Sequence, residues 1–125
     1  MRNRIRRATT AVTRAVGAIW DGVEETLERE EEGEEVQGSL MLAAIRCFGG
    51  ESFQINAGGR GNVRFKSGPY EGYTATGPQL RRIMEALRKG RSQTERVVEQ
   101  VVAEIRPPSS RVASIAMRVL SYHLN

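Results

Sequence analysis

Apolar positions fall at helical spacing along the first part of the chain: Ile5, Ala8, Val12, Val16, Ile19, Val23 and Leu27 follow one another in steps of three and four. Such steps align on one side of a helix, with Ala15 and Trp20 beside them. The stripe is narrow and close to the roughly 3.5-residue repeat of helices that pack on one another, so a partner helix would cover it well. Ile5, Val12, Val16, Ile19, Trp20, Val23 and Leu27 are therefore the expected oligomerisation surface, on a detachable N-terminal arm spanning residues 1–35.

The pattern then changes period. Ser52–Ala57 and Asn62–Lys66 alternate polar and apolar residues around the turn Gly58-Gly59-Arg60-Gly61, which predicts a β-hairpin. Alternation assigns Phe53, Ile55, Val63 and Phe65 to the inner face, and Gln54, Asn56, Arg64 and Lys66 to the outer one. Leu40–Phe48 is a continuous apolar run that periodicity alone leaves open between strand and helix. The short Gly49-Gly50-Glu51 link into the hairpin tips the expectation to a third strand. Residues 67–77 read as a loop carrying Tyr70 and Tyr73.

Three helical segments follow, over about 78–89, 93–105 and 110–123. Thr76 or Gly77 opens the first, whose apolar face is Leu80, Ile83, Met84 and Leu87, and Gly90 ends it. Ser92-Gln93-Thr94-Glu95 reads as a capping box for the second, which Pro107-Pro108 stops. The expected fold is thus α+β: a long N-terminal amphipathic helix, a small antiparallel hairpin or three-stranded meander, and a C-terminal three-helix bundle. Residues 36–125 would form the compact domain, with its sheet over 39–66.

Charge changes this picture most at the N-terminal helix. Residues 1–20 carry five arginines and no acid, whereas residues 21–35 carry nine acids against Arg29. A helix dipole favours anions at the start and cations at the end, so this order opposes it. Contacts elsewhere, such as head-to-tail pairing of subunits, would account for the split. Across all 125 residues the formal net charge is +4, and 17 of the 19 bases are arginine. Arginine suits bidentate phosphate or carboxylate contacts.

The chemistry of an enzyme is not legible. The one histidine, His123, stands two residues from the end of the sequence, and Asp21 is the sole aspartate. No Ser-His-Asp, Cys-His, HExxH or DxD arrangement can be assembled, and no catalytic, metal-binding or cofactor residue is assigned. Gly58–Gly61 precedes a strand-like run, unlike a phosphate loop or a dinucleotide fingerprint. Cys47 lies in an apolar run, reads as a buried small hydrophobe, and cannot form an intrachain disulfide. That suits a reducing, intracellular setting, cytoplasmic or nuclear. No run approaches the roughly 20 apolar residues of a membrane span.

The expectation is a non-enzymatic, self-associating protein that contacts the phosphate backbone of DNA or RNA. Its candidate contacts are Arg60, Arg64, Lys66, Tyr70 and Tyr73 on the hairpin and loop, with Arg81, Arg82, Arg111 and Arg118 on the C-terminal helices. One alternative is a structural assembly protein, for instance a virion component, whose N-terminal helix makes subunit contacts. Another is an adaptor or a peripheral membrane protein, residues 1–20 being arginine-rich and amphipathic.

Overall fold

A computed structural model describes the backbone of residues 2–105 and the side chains of residues 10–105. The helix expected over 110–123 lies outside the described residues, as do Arg111, Arg118 and His123. The element order is α1 (Arg2–Glu31), α2 (Gln37–Arg46), β1 (Phe53–Ala57), β2 (Asn62–Phe65), β3 (Thr74–Ala75), α3 (Gly77–Lys89) and α4 (Arg91–Ile105). The fold is α+β, with the three strands forming an antiparallel meander in the order β1-β2-β3.

At 30 residues α1 is about 45 Å long. It stops at Gly33, whose φ of +94° suits glycine. The N–H groups of Gly33 and Glu34 donate to the carbonyls of Glu30 and Arg29, both at 3.0 Å, the paired bonds of a Schellman cap. The apolar stripe read from the sequence faces inward: Val12, Val16 and Val23 are fully buried, and Ile19, Trp20 and Leu27 pack half-buried against the same core. α1 lies on α2 and α4 of its own chain. From Val12 to Leu27 the stripe is therefore part of the domain's own core, while Ile5, expected on the same surface, lies outside the described side chains.

Leu40–Arg46 is helical, not a strand, and Cys47 and Phe48 follow in a turn. Leu40, Ala44 and Ile45 are buried, and the face continues into Cys47 and Phe48, while Ser39 and Arg46 are exposed. The run looked continuous because its other side is only half covered: Met41, Leu42 and Ala43 are partly buried as well. The third strand is instead Thr74–Ala75, inside the segment expected to be a loop, where Val63 pairs with Ala75 and Arg64 with Thr74.

The hairpin has the expected register, Phe53 opposite Phe65, Gln54 opposite Arg64, and Ile55 opposite Val63. A bulge between Ile55 and Ala57 puts Asn56 at φ +62°. Asn56 holds the loop through its Oδ1, which accepts from the Gly61 N–H at 2.7 Å. Val63, Phe65 and Ala75 are buried beneath the helices, Phe53 is partly so, and Ile55, on the outer strand, is 64% exposed. Phe65 stacks on Phe48 with centroids 4.5 Å apart.

The chain enters β1 through a tight crossing. A Cβ on Gly50 would collide with the Ser67 carbonyl oxygen, and one on Gly68 would stand 2.7 Å from the Gly50 Cα. Ser67 Oγ accepts from the N–H groups of Glu51 and Ser52, both at 3.0 Å, and holds the two segments together.

Thr76 caps α3 in the expected place. Its Oγ1 accepts from the Gln79 N–H, and the Gln79 side chain accepts from the Thr76 N–H, with Pro78 in the opening turn. The second capping box does not form. α4 starts at Arg91, directly after Gly90, so Ser92 falls inside the helix. Thr94 is buried, with its hydroxyl donating to the Gly90 carbonyl at 2.8 Å. Its methyl can then join the core while its one polar atom is satisfied.

Candidate nucleic-acid interface

The outer face of the sheet is built by period-two alternation. Gln54, Arg64 and Thr74 stand side by side across the three strands, because each is the direct register partner of the next. Arg64 is central and exposed, Lys66 is exposed two residues on, and Arg60 is exposed at the hairpin tip. The start of α3 abuts that tip. A Cβ on Gly77 would meet the Arg81 Nη1 at 3.4 Å and the carbonyls of Gly61 and Arg60 at 3.8 and 3.9 Å. Arg81 is exposed, so the helix adds a further cation beside the loop.

Among the described residues the ion pairs are Arg29 with Glu34, Arg82 with Glu104, Arg88 with Glu30, and Arg91 with Glu95. None of them uses Arg60, Arg64, Lys66 or Arg81. Arg82 was expected with this group but points its guanidinium elsewhere. Its Nη1 donates to both Glu104 carboxylate oxygens, at 2.7 and 2.9 Å. Gln79 Nε2 adds a bond of 3.1 Å to the same carboxylate. The Arg82 hydrogen bond holds the Glu104 carboxyl below its ordinary range, with desolvation opposing it.

The two tyrosines sit between surface and core. Tyr70 meets Phe48 edge-on at 5.9 Å and lies 6.0 Å from Tyr73, and both are half-buried against the core cluster. They brace the 67–73 loop from inside. Phe53 and Phe65 are likewise committed to the inner face.

Arg88 and Glu30 form the contact that sequence reasoning missed. Nε donates to Oε1 at 3.1 Å and Nη2 to Oε2 at 2.8 Å, a fork across residues 58 positions apart. Neither residue stands out in a run of acids or a cluster of bases, so no sequence signal could have found the pair. The Arg88 hydrogen bond lowers the Glu30 carboxyl below its usual value. A carboxyl lowered by folding stabilises the fold above its unfolded pKa, and that contribution is lost as pH falls through the folded value. Comparing urea midpoints of the native chain and Glu30→Gln, we expect a small deficit at neutral pH that vanishes below the carboxylate range. A deficit persisting in acid would assign the effect to packing.

Cys47 is completely buried, and burial pushes its thiol up to about 12. Among the described residues, no three His, Cys, Asp or Glu side chains gather as a metal site. No described helix is long and apolar enough to cross a membrane. The chain thus presents an α+β scaffold whose exposed sheet-face cations have no carboxylate partner among the described residues. Comparison with known protein families, curated proteins and solved structures found no match.

Proposed function

We propose that the chain is a non-enzymatic nucleic-acid-binding protein that grips the phosphate backbone with the outer sheet face and hairpin tip. One observation carries this reading. Arg60, Arg64, Lys66 and Arg81 are exposed on adjoining elements with no carboxylate partner among the described residues, while Arg29, Arg82, Arg88 and Arg91 are spent on glutamates. Guanidinium groups left free in this way suit forked contacts to phosphate oxygens. The inward packing of Tyr70 and Tyr73 favours backbone contacts over base stacking. Low sequence preference follows.

The test is fluorescence anisotropy with mixed-sequence duplex and single-stranded probes over roughly 50 to 200 mM salt. Four phosphate contacts would give a slope of log affinity against log salt of about −3 to −4 on duplex DNA. Arg64→Ala should weaken binding and make the slope shallower by about 0.9. Arg82→Ala should change neither. Absence of binding at low salt, or equal losses for the two variants, would refute the proposal.

A further inference from the structure

The core stripe of α1 is used inside the chain, but among the described residues a second side of the same helix is only partly covered. Ala11, Ala15, Ala18 and Gly22 recur in steps of four, three and four, and with Ile19 they form one wall of a groove. The other wall is α2, at Leu42 and Ala43, continuing to the Gly49-Gly50 turn. Two adjoining cavities of about 390 and 620 Å³, which share Ala18, Ile19 and Arg46, make up its length. The small side chains allow a helix backbone to approach closely.

Charge says which helix. Arg14, Asp21 and Glu28 recur every seven residues, so they share one flank of the small-residue wall, and all three are exposed. Arg7 occupies the preceding position of that spacing. Among the described residues, neither Arg14, Asp21 nor Glu28 has an ion-pair partner. The sign changes between Arg14 and Asp21, in the middle of the small-residue wall. A two-fold axis at that point brings α1 of a second copy alongside in the opposite direction. The same flank of each helix then meets its counterpart reversed. Ala15 lies opposite Ala18 and Arg14 faces Asp21, each pair formed twice.

We infer that this groove is a self-association surface, in which two copies of the chain pair their α1 helices antiparallel. The inference stands apart from nucleic-acid binding, which uses the sheet. It also explains a charge order that opposes the helix dipole: the basic half of one α1 runs along the acidic half of the other, where a parallel pair would set like against like.

The test is sedimentation equilibrium of the full chain at micromolar concentrations, after nuclease treatment and with a 260/280 nm ratio showing no bound nucleic acid. The native chain should be dimeric. Arg14→Glu sets like charges together at two places and should raise the dissociation constant roughly tenfold or more. Combining it with Asp21→Arg rebuilds both pairs with signs exchanged and should restore affinity to within about threefold. Ala18→Glu, which puts an exposed carboxylate into the seam, should give a monomer with unchanged circular dichroism. A monomeric native chain, or a double variant no tighter than Arg14→Glu alone, would overturn the inference. A dimer unaffected by Ala18→Glu would do the same.

Discussion

Val16→Asp is expected to unfold the whole domain rather than release an arm. Val16 is fully buried in the cluster that contains Leu40, Leu80, Ile83, Leu87, Val98 and Val101, so it touches the centre of the fold. An ionised carboxylate there would be enclosed by the apolar side chains of that cluster. An uncompensated buried charge costs about 3–5 kcal/mol, and the lost apolar burial adds to it. Domains of ordinary size have only about 5–15 kcal/mol in hand. Trp20, the one tryptophan, lies half-buried on the same helix, so its fluorescence reports α1 directly. Urea unfolding followed by Trp20 emission and by circular dichroism should give one coincident transition in the native chain. In Val16→Asp that transition should be shifted to much lower urea or be absent. If the tryptophan signal were lost while the circular-dichroism transition kept its midpoint, α1 would be an arm after all.

Gly68→Ala should have the second largest effect, for reasons local to the backbone. Gly68 has φ +86°, where a side chain costs about 1–2 kcal/mol. Its Cβ would also stand 2.7 Å from the Gly50 Cα and 2.8 Å from the Gly50 nitrogen, and neither atom can swing aside. Ser67 holds that segment by two hydrogen bonds, so relief requires moving the entry to β1. Together the strain and the clash should remove about 3 kcal/mol or more. Gly59→Ala isolates the clash, since Gly59 has φ +78° and open space around its Cβ position. It should lose only the conformational part. Thermal melts of the two variants provide the comparison, and equal losses would show that the crossing of residues 50 and 68 is soft.

Much of the fold could be read from period and punctuation. α1, α3 and α4 declare themselves by steps of three and four, Gly33 and Gly90 mark ends, and Thr76 with Gln79 marks a beginning. The hairpin follows from alternation on both sides of a glycine turn. The misreadings share a cause, which is tertiary packing that no local window contains. α2 is covered on one side by the core and half-covered on the other, so its apolar run lost the polar gaps that separate helix from strand. β3 has two residues and exists because Val63 and Arg64 of the middle strand supply partners for it. The α1 stripe was read correctly as apolar, but the sequence does not say whether a neighbouring chain or the same chain covers it.

The candidate interface divides in the same way. Arg64 and Lys66 could be placed on the outer face by alternation, and Arg60 at the turn. That Arg81 joins them at the hairpin tip depends on α3 beginning beside Gly61. That Arg82 is withdrawn depends on Glu104, on the next helix. Charge counts cannot separate spent cations from free ones, since only geometry pairs them.

The burial of Cys47 has a practical consequence for all these measurements. A thiol with its pKa raised to about 12 is almost wholly protonated at neutral pH, and its complete burial denies reagents access. A cysteine introduced at an exposed position such as Arg60 or Ala18 can therefore be coupled to a maleimide fluorophore without first removing the native one. The same shielding makes Cys47 a built-in clock, since its modification in excess reagent would proceed only through openings of the core and would time them.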